Sequence, residues 1–231
     1  MSTGGARSRA RGTVDIGRPP RGRVELGLRT RVIAPLTSGS RGGLLDEAAA
    51  VGDEPVDLVE WRADSMVRAL AGSSFAAAPD LVGELTATAG ALLGASALPL
   101  IATVRTSSEG GAAHLDDSEY CALVASLAGM ADAVDVEIGR QGAPDLVREA
   151  QRAGARVIAS HHDFGGTPGD EELAGVLAAM NHAGADVLKI ACAPRSGGDV
   201  ARVLTAGAWA REAYDRPVIA IAMGRLGGPT R

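Results

Sequence analysis

The chain has 231 residues, enough for one large core, and length alone does not separate a single α/β barrel from two smaller domains. A formal charge of −5 excludes an overall basic surface for nucleic acid, and 46% apolar with 22% charged residues is ordinary for a water-soluble chain. With aromatics at 3%, the core has to be built from Val, Leu, Ile and Ala.

In chain order, the first segment is basic. Arg7, Arg9, Arg11, Arg18, Arg21, Arg23, Arg29 and Arg31 crowd the start among Gly and Pro, with only Asp15 and Glu25 against them. This composition predicts a solvated, disordered tail over residues 1–30, followed by one domain over 31–231. An arm for an anionic partner, or a transit-like peptide, is the alternative. No hydrophobic signal segment opens the chain, and the longest weakly polar run, Ala89 to Val104, is interrupted by Ser96 and Pro99 and is short for a bilayer. No membrane association is expected. Cys121 and Cys192 lie in apolar stretches without metal-ligand spacing, which predicts reduced, buried thiols and a cytoplasmic setting.

Beyond the tail, short apolar runs alternate with stretches of helical composition. Strands are predicted at Val32 to Leu36, Val56 to Trp61, Leu98 to Val104, Ala133 to Ile138, Arg156 to Ser160, Asp186 to Cys192 and Pro217 to Met223. Between them, helices are predicted at Leu44 to Val51, Pro79 to Gly94, Ser118 to Ala131, Pro144 to Ala153, Asp170 to His182 and Asp199 to Tyr214. Such alternation predicts parallel βα units. A doubly wound sheet would alternate in the same way, but it would draw its site from the few strands flanking one switch point. Here charged or reactive residues recur at the C-terminal ends of five successive strands: Glu60 and Arg62, Arg105, Asp135 and Glu137, His162, and Lys189. That distribution points to a (β/α)8 barrel, whose sites lie at the C-terminal face.

Lys189 sits within Val187-Leu188-Lys189-Ile190-Ala191, where burying an ammonium is costly unless it is paired or deprotonated. A neutral amine there would be a nucleophile toward a ketone or aldehyde, while a structural ion pair or a side chain reaching out to water is the plainer alternative. His162, in Ser160-His161-His162-Asp163-Phe164, would stand on the adjacent strand and can carry protons in both directions near neutrality. No local cluster supplies a third ligand to the paired histidines, so no metal is expected. Asp135 and Glu137 could orient the imidazole or form the acidic half of a salt bridge. Arg105 and Glu109, in Thr103-Val104-Arg105-Thr106-Ser107-Ser108-Glu109-Gly110-Gly111, suit carboxylate and hydroxyl recognition or a bridge at the barrel rim.

Together these segments, with Leu58-Val59-Glu60-Trp61-Arg62-Ala63-Asp64, Lys189-Ile190-Ala191 with Pro194, and Ala222-Met223-Gly224, resemble the type I 3-dehydroquinate dehydratase family. The resemblance runs from about Arg31 to Arg231. It implies dehydration of 3-dehydroquinate to 3-dehydroshikimate in the shikimate route to aromatic amino acids, with no metal or organic cofactor. It further implies that Lys189 forms an imine with the substrate ketone, that His162 shuttles the proton in a syn elimination, and that Glu137 holds the imidazole. Glu60, Arg62 and Arg105 would contact substrate hydroxyls, supported by Asp135 and Glu109, with Met223 lining the pocket and Arg231 binding the carboxylate. Compared with the family pattern, the sequence stops before the eighth strand and helix and the lid loop they carry. The barrel is therefore expected to lack its last βα unit. A weakly active or non-catalytic relative, or another Schiff-base lyase of the class I aldolase kind, remains open, as does a homodimer.

Overall fold

Alternate residues of a strand face opposite sides of a sheet, and in this chain that alternation separates two chemistries. The computed structural model describes residues 12–52, 54–71 and 80–230, and the expected carboxylate-binding residue Arg231 lies outside them. Seven parallel strands pair in chain order: β3 (Ile33–Leu36), β4 (Leu58–Arg62), β5 (Leu100–Thr103), β6 (Ala133–Glu137), β7 (Arg156–Asp163), β8 (Val187–Cys192) and β9 (Val218–Ala222). The crossovers carry α1 (Arg41–Val51), α2 (Ala63–Ala71), α3 (Leu81–Ala95), α4 (Asp117–Ala128), α5 (Ala143–Arg152), α6 (Asp170–His182) and α7 (Gly197–Tyr214). The sheet curves as an incomplete barrel in which β3 and β9 are the edges, as the barrel-type reading with seven strand candidates expects.

One set of strand residues faces the helices and is apolar: Val59, Trp61, Leu100, Ala102, Val134, Val136, Val157, Ala159, Leu188 and Ile190 are buried in a single cluster with residues of the helices. The other set faces the lumen and changes character with height. At the N-terminal end Leu58, Ile101, Ala133, Ile158 and Val187 form a second apolar cluster. Two residues further along the same strands stand Glu60, Thr103, Asp135, Ser160 and Lys189, and two further again Arg62, Arg105, Glu137 and His162. The lumen is therefore oily at its foot and polar at its mouth.

The foot is closed by a hairpin that the sequence reading did not expect. β1 (Val14–Ile16) pairs antiparallel with β2 (Val24–Leu26), and Val14, Ile16 and Leu26 are buried against the apolar layer of the lumen. The expected disordered tail over residues 1–30 is thus corrected from residue 12 onward. Two arginines of the described part act as fasteners. Arg21 makes two hydrogen bonds to the buried Asp132, at 3.0 and 3.1 Å, and Arg18 donates to the carbonyls of Ala128 and Ala131.

Asp132 belongs to a repeated device. Asp57, Asp132 and Asp186 each stand at the foot of an even-numbered strand and accept the N–H of Val32, Leu100 and Val157, at or beside the foot of the preceding strand. Each is also held by an arginine: Arg31, Arg21 and Arg156 respectively. The carboxylates satisfy amides that a parallel ladder leaves unpaired at its end and fix the register of neighbouring strands. Capping punctuates the helices in the usual way, with full capping boxes at Asp116 with Glu119 before α4 and at Ser196 with Asp199 before α7.

Candidate active site

The lysine and the imidazole stand on the same lumen-facing side because their strands are neighbours in register. Ser160 pairs with Lys189 across β7 and β8, and His162 lies two residues along the same face of β7. β7 runs on through Asp163 rather than ending at Ser160, so His162 is carried by a rigid strand and not by a loop. Lys189 is almost enclosed, its side chain 13% exposed, with Nζ 3.2 Å from Asp135 Oδ2 and 3.5 Å from Glu60 Oε1. Glu60 in turn accepts from the Thr103 hydroxyl at 2.8 Å.

His162 is gripped by Glu109. Nδ1 lies 2.8 Å from Glu109 Oε2, and the same oxygen accepts the His162 backbone N–H at 3.1 Å. This corrects the expectation that Glu137 holds the ring. The Glu137 carboxylate is taken up by the Thr106 backbone N–H at 2.8 Å, the Thr106 hydroxyl at 2.7 Å and Arg105 Nη1 at 3.2 Å, and its own backbone N–H donates to the Tyr120 hydroxyl. Glu109 sits in a short 3-10 turn, Ser107–Glu109, whose exit requires glycine: Gly110 has φ +77° and lies under the Phe164 ring, and Gly111 presses on the Arg105 carbonyl.

Arg105 is the electrostatic centre. It is 3% exposed, and Nη1 reaches Glu109, Glu137 and the Ser160 hydroxyl, while Nη2 lies 2.8 Å from Asp135 Oδ1 without hydrogen-bond alignment. Burial opposes its charge, but Asp135, Glu137 and Glu109 outweigh that and raise its pKa. Asp135 shows the mirror image: burial acts against ionisation, and Arg105, Lys189, His162 and the Ser160 hydroxyl together hold its carboxyl well below the usual range. Burial first, then the Glu137 carboxylate, pushes Glu109 up to about 8. Burial, then the Arg105 guanidinium, holds His162 down to about 3. At neutral pH both shifts favour an uncharged histidine–glutamate pair.

Of the remaining expected residues, Arg62 stands at the rim with its guanidinium fixed by two hydrogen bonds to the buried Asp64, which also accepts the Ala112 N–H. Met223 follows β9, half-buried, its N–H donating to the Cys192 carbonyl. Glu60, Asp135, Glu137, Lys189, His162, Arg105 and Glu109 form one connected network. The sequence reading missed Ser160, Thr103, Thr106, Asp64 and Tyr120. Strand alternation could have found the first two, which share faces with His162 and Arg105; nothing in the sequence flags Tyr120. Among the described residues no group of three or more His, Cys, Asp or Glu side chains is placed to hold a metal ion.

A sequence model of the type I 3-dehydroquinase family matches residues 32–231, which includes every residue of this network. The chain belongs to that family. It is 36% identical over 209 residues to the 3-dehydroquinate dehydratase of Klebsiella pneumoniae subsp. pneumoniae, covering 87% of this chain and 79% of that protein. It is 32% identical over 202 residues to the Salmonella enteritidis protein of the same name, covering 85% and 77%. Among solved structures, the Geobacillus kaustophilus 3-dehydroquinate dehydratase superimposes with a TM-score of 0.80 at 31% identity, covering 90% of this chain and 79% of that one. The Clostridium difficile type I 3-dehydroquinate dehydratase, solved with covalently modified comenic acid, gives 0.84 at 27% identity, covering 96% and 84%. As a type I 3-dehydroquinase, the chain has relatives that are hydro-lyases by name, and no helix among its described residues is long and apolar enough to cross a membrane.

Proposed function

We propose that the protein dehydrates 3-dehydroquinate to 3-dehydroshikimate through an imine on Lys189. The observation that carries this is the placement of an enclosed lysine amine, flanked by Asp135 and Glu60, on the strand next to an imidazole held by Glu109. Lys189 Nζ adds to the substrate ketone and water is lost, leaving an iminium whose cation Asp135 and Glu60 offset. The iminium draws electrons from the adjacent carbon and acidifies its proton. His162 Nε2 removes that proton, Glu109 on Nδ1 fixing the ring; the resulting enamine expels the hydroxyl, which takes the same proton and leaves as water. Hydrolysis of the conjugated iminium then frees the product and restores the amine.

Arg62, Arg105, Glu60 and Met223 are assigned to substrate binding at the lumen mouth, and Arg231 to the carboxylate. The buried Glu137 belongs to the scaffold that fixes Arg105. Borohydride reduction during turnover tests the scheme. An adduct whose mass matches the reduced imine should map to Lys189 and be absent from Lys189→Ala, which should also lose the enone absorbance of the product by at least about 10³-fold. Unmodified wild-type protein after reduction with substrate present would rule the imine out.

A further inference from the structure

Asp135 is buried, and among the described residues each of its carboxylate oxygens has one aligned hydrogen-bond partner. Oδ2 accepts from Lys189 Nζ at 3.2 Å, and Oδ1 accepts from the Ser160 hydroxyl at 2.5 Å. Arg105 Nη2 is also close to Oδ1, at 2.8 Å, but is not aligned to donate. Ser160 itself is fully buried, and its oxygen accepts from Arg105 Nη1 at 3.0 Å, which turns its proton toward Asp135. Because Ser160 and Lys189 are register partners on β7 and β8, the hydroxyl and the amine approach Asp135 from adjacent strands. A carboxylate with a non-directional cation on one oxygen can rotate; a hydroxyl donor on that oxygen stops it.

We propose that Ser160 is a positioning residue for the reaction: its hydroxyl locks the Asp135 carboxylate so that Oδ2 stays on the Lys189 nitrogen while that nitrogen becomes an iminium. This rests on the imine reading above. The iminium exists only after substrate has bound and reacted, so the stabilisation is realised in the chemical steps and not in ground-state binding. Loss of the hydroxyl therefore falls on kcat and on the rate of imine formation, with KM little changed.

The experiment times borohydride trapping with 3-dehydroquinate in wild type, Ser160→Ala and Ser160→Cys, reading the modified fraction by intact mass, alongside kcat and KM from the enone absorbance. Both variants should trap about tenfold more slowly and show a kcat lower by a similar factor, the size expected for one hydrogen bond to a charged group. KM should stay within about twofold, and the final trapped fraction should match wild type. Misfolding would lower the final fraction and not the rate. Cysteine fills the serine volume with a weak donor, so it separates the hydrogen bond from packing. Wild-type rates in Ser160→Cys, or a loss confined to KM, would overturn the proposal. Trapping in wild type with no slowing in either variant overturns Ser160 alone; no trapping in wild type overturns the imine chemistry and this proposal with it.

Discussion

Glu109 and Glu137 both touch Arg105, but only Glu109 reaches the imidazole, and the two carboxylates should fail differently when altered. Glu109→Ala should lower kcat by about 10²-fold, because the imidazole that transfers the proton loses the partner that orients it. Glu137→Ala should instead strip Arg105 and Thr106 of a buried acceptor and cost about 3 kcal/mol in chemical denaturation. Equal kcat losses with equal stabilities would contradict this division. His162 adds a pH signature. Its pKa falls from 6.5 to about 3 on folding, so its contribution to stability is complete above about 6.5 and is lost as pH falls toward 3. Denaturation midpoints measured across that window should fall less steeply in His162→Gln than in wild type. Lys189 was legible in the sequence because a charged residue inside an apolar run demands a reason, and His162 and Arg105 because they follow the apolar runs of expected strands. The partner of His162 was not, because Glu109 reaches it through a turn whose path no periodicity reveals.

At the scale of elements, the turn that delivers Glu109 depends on two glycines. A Cβ on Gly111 would lie 2.0 Å from the Arg105 carbonyl oxygen, so the backbone has to move. Gly111→Ala should cost about 2 kcal/mol in urea denaturation and also lower kcat, because the displaced segment carries the carboxylate that orients His162. Full activity at reduced stability would show that Glu109 does not follow the turn. The six expected helices and seven expected strands of the βα alternation were readable because apolar runs and Gly or Pro punctuation mark them independently of context. α2 was not, since Ala63 follows Arg62 with no loop between strand and helix. β7 extends past its apolar run to Asp163 because polar His161 and His162 continue the ladder with β8, a pairing that hydropathy does not register.

Across the whole molecule, the lumen is apolar at the foot and polar at the mouth, and the hairpin plugs the apolar end. Ile16, fully buried there, belongs to the apolar layer beneath Lys189 and not to the polar network, which separates stability from chemistry. Ile16→Ala should lower stability by about 3 kcal/mol in urea denaturation while kcat stays within about twofold at temperatures where the variant is folded. A kcat loss comparable to that of a network residue would show instead that the plug holds the site's geometry. The sequence by itself determined the parallel βα alternation, the family resemblance and the placing of Lys189, His162 and Arg105 toward the C-terminal ends of expected strands. Hydrophobic patterning and residue chemistry are local quantities, readable along the chain. Only the tertiary structure decided that residues 14–26 fold into a plug, that Glu109 rather than Glu137 grips the imidazole, and that Ser160 meets Asp135. Those outcomes depend on which lumen-facing side chains from different strands come within hydrogen-bond reach. That is set by register and curvature, which arise only when the strands pair.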